Sequence, residues 1–200
     1  MNSRDLVLGR LRAALAGGGP AAAGEVPRDY RHTGTLDLDQ LVQRLTDYRA
    51  QVHRVAGHAV ADTIAAILPA GATVVVPPGL PPDWLPTTVT VRPDDGLDNG
   101  QIAAADAVVT AATVAVAETG TVVLDGSPDQ GRRVLSLLPD LHVCVVRADQ
   151  VVATVPEALA RLVPHRPLTW ISGPSATSDI ELNRVEGVHG PRTLHVIVLA

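Results

Sequence analysis

The chain contains no lysine, since all sixteen of its basic residues are arginine. Without a side-chain amine it cannot form a Schiff base with a carbonyl substrate or with pyridoxal phosphate. It also lacks the lysine that a P-loop needs to hold nucleotide phosphates. The sequence therefore excludes lysine-dependent covalent catalysis and the P-loop class of nucleotide-binding proteins.

Cysteine is almost as scarce, because Cys144 is the only one. One thiol cannot form an internal disulfide, nor can it supply the four thiolates of an iron–sulfur cluster. Five histidines lack the spacing of metal ligands: His53, His58, His142, His189 and His195. Neither GxGxxG nor GxSxG occurs, which weakens a dinucleotide-binding or serine-hydrolase interpretation. We therefore predict no metal and no cofactor in this chain.

Aromatic residues make up only 2% of the chain, and phenylalanine is absent. The hydrophobic fraction is nevertheless 46%, with 18% charged residues and a mean hydropathy of +0.19. A core must therefore consist of Val, Leu, Ile and Ala. The valine-rich runs predict strands that are covered on both faces.

Charged residues are few, and acidic residues outnumber basic ones, so the net charge is -5 and the pI is about 5.7. No basic stripe interleaved with aromatic residues is present, so nucleic acid is not expected as a partner. No apolar run reaches the roughly 18 residues that span a bilayer, and the N-terminal sequence lacks the layout of a signal peptide. We expect a cytoplasmic protein without membrane contact.

The order of the predicted elements favours an α/β fold with an open, mainly parallel sheet flanked by helices. An N-terminal helix and a glycine-rich linker occupy residues 1–24, and residues 25–200 form a single α/β domain. Helices are predicted at 3–16, 37–49, 57–68, 131–137 and 155–163, and strands at 52–55, 72–76, 89–91, 107–110, 114–117, 122–124, 141–147, 169–172 and 194–199. Short apolar runs that alternate with helices are typical of parallel sheets, and the close succession at 107–124 adds antiparallel pairing.

The segment Glu118-Thr119-Gly120-Thr121 joins two apolar runs. Gly120 can adopt the positive φ that such a turn requires. A carboxylate at a strand end beside apolar neighbours is partly desolvated, which suits a general base or a nucleophile. The alternative is a structural glutamate that accepts hydrogen bonds from the turn. We take Glu118 as a candidate catalytic residue and Thr119, Gly120 and Thr121 as candidate anion-binding residues.

Two arginines begin the predicted helix at 131–137, and Ser136 lies one turn after Arg133. Arginine presents a planar fork that matches a carboxylate or a phosphate, so Arg133 and Ser136 could hold an anion together. The alternative is an exposed helix start, and that description must fit at least one of Arg132 and Arg133.

The segment from Ser172 to Glu181 is rich in hydroxyl and acidic side chains. A predicted strand runs into a glycine turn and then into a short helix near Ser178. In parallel sheets ligands bind at the carboxyl ends of strands, so we expect a phosphate or carboxylate here. The alternative is a capping box between Ser178 and Glu181. The candidate binding residues are Ser172, Gly173, Ser175, Thr177, Asp179 and Glu181.

The segment Gly187-Val-His189-Gly-Pro191 precedes the last predicted strand. Glycines on both sides of His189 allow the backbone to approach another group closely. An imidazole presented from a turn can act as an acid, a base or an anion donor. We take His189 as the second candidate catalytic residue, with Glu118 as the base and His189 as the acid.

Four motifs carry a resemblance to a known family, in this order: Ala117-Glu-Thr-Gly-Thr121, Arg133-x-x-Ser136-Leu-Leu-Pro139, Ser172-Gly-Pro-Ser175-x-x-x-Asp179-Ile-Glu181 and Gly187-Val-His-Gly-Pro191. The chain resembles the lactate utilisation protein C family, specifically over about residues 105–200. The resemblance implies a fold like that of sugar-phosphate isomerases, CoA transferases and the folate cyclo-ligase.

The resemblance also implies a role as one of three subunits of a bacterial system that oxidises L-lactate to pyruvate, in which the partner subunits are iron–sulfur proteins. Our leading hypothesis is an accessory or substrate-handling subunit that binds a small anionic ligand. The alternatives are a free-standing enzyme that acts on a phosphorylated, nucleotide or CoA-type ligand, and a non-catalytic scaffold. The sequence leaves open whether the chain forms a homo-oligomer.

Overall fold

The computed structural model of the chain describes residues 2–16, 24, 26–177, 185–186 and 190–199. The α-helices within these ranges are α1 (Ser3–Ala16), α2 (Leu38–Asp47), α3 (Val60–Ile67), α4 (Asn99–Ala103) and α5 (Val155–Arg161). The strands are β1 (Gln51–Val55), β2 (Thr73–Val76), β3 (Thr90–Pro93), β4 (Ala107–Ala111), β5 (Val114–Val116), β6 (Thr121–Leu124), β7 (Leu141–Arg147), β8 (Val151–Val152), β9 (Thr169–Ile171), β10 (Ala176–Thr177), β11 (Val185–Glu186) and β12 (Thr193–Leu199). Short 3-10 turns lie at Gly57–Ala59, Pro82–Trp84, Arg133–Ser136 and Ala148–Gln150.

Six strands form a parallel sheet in the order β1-β12-β7-β4-β2-β3. Every neighbouring pair in this sheet is parallel. The chain proceeds from β2 outward to β3 and then returns to the other side of β2 as β4. The predicted mainly parallel α/β sheet is therefore confirmed, and the direction of winding changes between β2 and β4.

A second, four-stranded sheet has the order β8-β5-β6-β9. In it β6 is antiparallel to both β5 and β9, while β5 and β8 are parallel. The predicted antiparallel pairing within residues 107–124 is confirmed by β5 and β6, which belong to this separate sheet because the chain leaves the parallel sheet after β4. The two-residue gap between β4 and β5 turns the chain into a separate layer.

The parallel sheet is covered on both faces, as its valine-rich strands predicted. One face packs with α2 and the second sheet through Leu41, Leu45, Val146 and Val196. The other packs with α3 through Val60, Ile64, Val143 and Ile197. Fully burying one such side chain contributes about 1.5–3 kcal/mol, so two faces of this kind supply the main driving force for folding.

Helix α2 is held against the second sheet by two close backbone approaches. Its N-terminus is capped by Asp37, whose side chain accepts a hydrogen bond from the Asp39 N–H. Gly120 has a φ of 61°, and a Cβ there would lie 2.5 Å from the Arg44 Cβ. Gly173 has a φ of 91°, and a Cβ there would lie 2.5 Å from the Tyr48 carbonyl oxygen. The predicted positive φ of Gly120 is confirmed, and both glycines are required for packing.

Two other expectations about elements change in the structure. In place of the helix predicted at 131–137, the structure has the short 3-10 turn Arg133–Ser136. Gly131, which precedes this turn, has a φ of 70°. The helix predicted near Ser178, together with its capping alternative, lies outside the described residues.

The chain divides into two compact units, Met1–Arg31 and His32–Ala200. In the first unit, α1 has no buried residue. The second unit contains the six-stranded sheet, the four-stranded sheet and the two-stranded pair β10–β11. The division at residues 24 and 25 that the sequence suggested stays a prediction. Within the described residues, no helix has the length and apolar character needed to cross a membrane.

Candidate functional site

A cavity of about 210 Å³ brings together three of the four sequence motifs. We call it the serine cavity. Its lining consists of Ser136, Leu137, His142, Thr169, Trp170, Ile171, Ser172, Gly173, Pro174, Ser175, Gly190, Pro191 and Leu194. Four of the predicted binding residues, Ser136, Ser172, Gly173 and Ser175, thus line one volume although Ser136 lies far from the other three in the chain.

Backbone contacts fix these segments around the cavity. The Ser175 N–H donates to the Pro191 carbonyl over 2.8 Å. A Cβ placed on Gly190 would lie 3.7 Å from the Ser175 Cβ and 3.8 Å from the Ser136 carbonyl oxygen. The turn before β12 therefore lies between the other two segments. Ser136 is held by the 3-10 turn, where its hydroxyl donates to the Arg133 carbonyl at 3.1 Å.

A chain of hydroxyl groups connects the cavity with the turn between β5 and β6. The Thr119 and Thr121 hydroxyl oxygens are 2.7 Å apart, and those of Thr121 and Ser172 are 2.8 Å apart. Thr121 is 6% exposed, so its hydroxyl is satisfied by these partners rather than by bulk water. In the structure, the predicted binding residues Thr119 and Thr121 therefore hold the Ser172 hydroxyl in position through hydrogen bonds.

His142 lies in the wall of the serine cavity. It is 1% exposed, and its Nε2 lies 2.8 Å from the Thr110 hydroxyl oxygen. Burial lowers the pKa of His142 to about 4, so the ring is neutral at neutral pH. A neutral imidazole can exchange hydrogen bonds with a ligand but adds no positive charge to the cavity.

The two adjacent arginines have different surroundings. The Arg132 guanidinium donates to both carboxylate oxygens of Asp94, at 2.8 and 2.5 Å, and to the Leu97 carbonyl. Arg133 is exposed and lines a small cavity that shares Ser136 and Thr169 with the serine cavity. Within the described residues no hydrogen bond or ion pair involves its guanidinium. Arg133 is therefore the cation next to the serines that can bind an anion.

Glu118 lies apart from the serines. It lines a separate groove of about 330 Å³ with Thr119 and with three residues at the end of α2, namely Arg44, Asp47 and Tyr48. Among the residues that the structure describes, this groove and the serine cavity have no lining residue in common. The structure therefore places the candidate base in a polar groove beside Thr119, whose hydroxyl begins the chain of hydroxyls that leads through Thr121 to Ser172.

Four predicted site residues cannot be compared with the structure. Asp179, Glu181 and His189 lie outside the described residues. Thr177 belongs to β10, which pairs with β11, and only its backbone is described. Their roles stay predictions.

The serine cavity lies at the amino end of the parallel sheet. His142 and Leu194, which line it, are the second residues of β7 and β12. The Ser172–Thr177 segment follows β9, a strand of the other sheet. The expectation that this segment lies at the carboxyl end of a parallel strand is therefore wrong, because a short apolar strand looks the same in either sheet.

The sequence analysis did not select the three wall residues contributed by β9, Thr169, Trp170 and Ile171. Trp170 is 40% exposed, which is unusual for the largest apolar side chain. Trp170 lies two residues before Ser172, and this closeness to the predicted binding segment could have marked it as a wall residue. For metal binding, no group of three or more His, Cys, Asp or Glu side chains with suitable geometry occurs among the residues that the structure describes.

The fold defines the class first: an α/β protein with a six-stranded parallel sheet and a smaller mixed sheet. The profile of the LUD domain family matches residues 92–199, which is more than half of the chain. Lactate utilization protein C of Deinococcus radiodurans is 46% identical over 198 residues, covering 96% of this chain and 93% of that protein. The chain therefore belongs to the LUD domain family, and the resemblance inferred from the motifs is confirmed.

Two further relatives support the same assignment. Lactate utilization protein C 1 of Bacillus mycoides is 38% identical over 105 residues, covering 48% of this chain and 44% of that protein. The crystal structure of a DUF162 family protein from Deinococcus radiodurans superimposes with a TM-score of 0.71 at 41% identity. The superposition covers 82% of the present chain and 96% of the chain in that crystal structure. The fold is thus shared across nearly all of that solved structure.

Proposed function

We propose that this protein acts in lactate utilisation as a substrate-handling subunit that binds a small 2-hydroxy or 2-keto carboxylate in the serine cavity. The observation that carries the proposal is the convergence of Ser136, Ser172 and Ser175, from two separate family motifs, on one cavity. The naming of its relatives supports lactate as the metabolic context.

The chemistry of the cavity suits such a ligand. A carboxylate is an acceptor only, and serine hydroxyls and backbone N–H groups are its natural donors. In this proposal the Ser136 hydroxyl turns from the Arg133 carbonyl to the bound carboxylate. The volume of about 210 Å³ is below the ~300–1,000 Å³ of pockets for drug-sized ligands, which favours a small acid. Arg133, which borders the same Ser136 from the adjacent cavity, supplies the positive charge.

Electron transfer belongs to partner proteins in this proposal. Oxidation of lactate to pyruvate releases two electrons and two protons, and the chain has a single cysteine and no nucleotide-cofactor motif. We assign the electrons to iron–sulfur partner subunits, as the family resemblance implied. The role of the present chain is to hold the acid, with the predicted His189 as a hydrogen-bond donor to it. Glu118 lies in the separate groove, so it would accept a released proton by relay through the Thr119, Thr121 and Ser172 hydroxyls.

Ligand titration with purified protein tests the binding step. L-lactate and pyruvate should each raise the melting temperature, and a ligand at a hundred times its Kd adds roughly 2.7 kcal/mol. Arg133→Ala and Ser136→Ala should each weaken binding about tenfold or more. Arg12→Ala removes an exposed arginine of α1 and is the matched control, expected to bind like the parent protein.

Other outcomes would favour the other roles. If neither acid binds and a pull-down retains iron–sulfur proteins, the chain is a scaffold and the substrate-handling proposal is wrong. If the isolated chain turns over a nucleotide or CoA ester without partners, it is a free-standing enzyme. Growth on L-lactate with Glu118→Gln at normal protein levels would remove Glu118 from the proposed chemistry.

A further inference from the structure

The carboxyl ends of the parallel strands border a second, larger cavity. It has a volume of about 500 Å³, and we call it the carboxyl-edge cavity. Its lining consists of Gly79, Ala112, Thr113, Ser127, Pro128, Asp129, Gln130, Arg147 and Gln150. None of these residues lines the serine cavity, and none was selected from the sequence as a site residue.

The position in the fold is the first argument for a site. Ala112 directly follows β4, Arg147 ends β7, and Gly79 comes three residues after β2. The winding of the sheet reverses between β2 and β4. In open α/β sheets, ligands bind outside the carboxyl ends of the strands at such a reversal, because the loops diverge there and leave a crevice.

The second argument is that the walls are fixed by internal hydrogen bonds. The loop after β6 is held against the strand ends, since Ala111 donates to the Asp129 carbonyl and Gly79 donates to the Pro128 carbonyl, both at 2.9 Å. A Cβ on Gly79 would lie 2.6 Å from the Pro128 carbonyl carbon, so glycine is required for this approach. These contacts therefore fix the shape of the crevice.

Two buried glutamines fix the cavity further. The Gln150 amide donates to the Ala112 carbonyl at 2.6 Å and accepts from the Arg147 N–H at 2.9 Å. Gln130 accepts from the Asp125 N–H at 2.7 Å and exchanges hydrogen bonds with the Thr113 hydroxyl. Both glutamines are less than 10% exposed. Side chains fixed by hydrogen bonds in this way hold the neighbouring ligand-contacting groups in place.

The charged groups of the lining indicate the ligand. The hydroxyls of Thr113 and Ser127 are used by Gln130 and Asp125. Arg147 has a 44% exposed side chain, and its one ion pair among the described residues is a 3.7 Å contact between its Nε and the Asp149 carboxylate. Asp129 is half-buried, and its carboxylate makes no hydrogen bond or ion pair within the described residues. The lining thus offers one guanidinium for an anion and one carboxylate for hydroxyl donors.

We infer that the carboxyl-edge cavity is a second ligand site, which binds an organic anion that also carries several hydroxyl groups. Arg147 binds the anionic group, and Asp129 accepts hydrogen bonds from the hydroxyls. The volume of about 500 Å³ suits a ligand well above the size of lactate. This inference does not depend on the proposed lactate site, because the two cavities have separate linings.

Calorimetric titration with four probes tests the inference. D-gluconate supplies the carboxylate form of the ligand class, and ribose 5-phosphate supplies the phosphate form. Glycerol and inorganic phosphate supply the hydroxyls and the anion separately. We expect at least one of the first two to bind, at least tenfold more tightly than either partial probe. Whichever of the two binds identifies the anionic group.

Variants assign the binding to this cavity. Arg147→Gln and Asp129→Asn should each weaken the bound probe at least tenfold while leaving the melting temperature of the free protein unchanged. Arg133→Ala, in the small cavity next to the serine cavity, should leave that binding intact and weaken only the binding of lactate. No binding of gluconate or ribose 5-phosphate up to 10 mM, binding unaffected by Arg147→Gln, or binding lost in Arg133→Ala would each overturn the inference.

Discussion

The hydroxyl oxygens of Thr121 and Ser172 lie 2.8 Å apart, although 51 residues separate them in the chain. Thr121 opens β6 and Ser172 directly follows β9, and these two strands are antiparallel neighbours. Strand pairing therefore brings together two motifs that the sequence could only treat separately. Through this contact, the β5–β6 turn helps to position Ser172 in the wall of the serine cavity.

Removal of the Thr121 hydroxyl tests this connection. Thr121→Val preserves the shape but deletes hydrogen bonds to Thr119 and Ser172, so we expect a loss of about 1 kcal/mol in the free energy of unfolding. Lactate affinity should fall by a few-fold, because the Ser172 hydroxyl loses its orientation. Thr90→Val, at an exposed position of β3, is the matched control. Unchanged stability and affinity in Thr121→Val would show that the contact has no structural role.

Two motif glycines should be intolerant of any side chain. Gly120 and Gly173 both have positive φ, and an added Cβ would lie within 3 Å of atoms in the α2 region. Strain and overpacking together predict that Gly120→Ala or Gly173→Ala destabilises the protein by roughly 2–4 kcal/mol. Gly57→Ala meets no atom within 4 Å and should be nearly neutral. Chemical denaturation of the three variants checks this, and equal midpoints would contradict the packing role.

The positions of most strands could be read from the sequence, because runs such as Ala72–Val76 and Leu141–Arg147 are apolar, valine-rich and bounded by turn residues. Their distribution between two sheets could not. The pairing of β6 with β9 is a long-range choice that depends on how the layers pack, and a three-residue apolar run carries no mark of it. For this reason the Ser172 segment was expected at the wrong end of the parallel sheet.

The same distinction applies to the candidate site. Three serines could be proposed from their local surroundings, and the structure places them around one cavity. The difference between Arg132 and Arg133 could not be foreseen, since it depends on Asp94, which lies 38 residues before Arg132. The residues of the carboxyl-edge cavity are ordinary Gln, Asp and Thr side chains without a motif. Only the ends of the parallel strands bring them together.

Stability should decrease at mildly acidic pH because of two buried histidines. Burial lowers the pKa of His142 to about 4, and burial together with the nearby His53 lowers that of His195 to about 4. The ordinary value is 6.5, so between pH 6.5 and 4 the unfolded chain binds protons that the folded chain does not. Stability is therefore complete above pH 6.5 and falls as the pH decreases toward 4. The fully buried His142 alone can account for roughly 3 kcal/mol.

Urea titrations at pH 7 and pH 4.5 measure this effect. His142→Asn should reduce the difference in unfolding free energy between the two pH values, even if the variant is less stable at both. His58→Gln removes an exposed imidazole and should leave the difference unchanged. A difference that is the same in all three proteins would assign the acid sensitivity to other groups.

The single thiol should be inert in the folded protein. Cys144 is completely buried in β7, and burial raises the pKa of its thiol to about 12. Its Sγ contacts the Ala111 carbonyl and the Thr110 hydroxyl, both in the neighbouring strand β4. Since the thiolate is the reactive species, a thiol reagent such as Ellman's reagent should not label the native chain at pH 8. Labelling in urea should reach one equivalent, at a rate that depends on unfolding. Rapid labelling of the native protein would mean that the centre of the parallel sheet opens readily, and it would make Cys144 available for redox chemistry that the proposed function assigns to partner proteins.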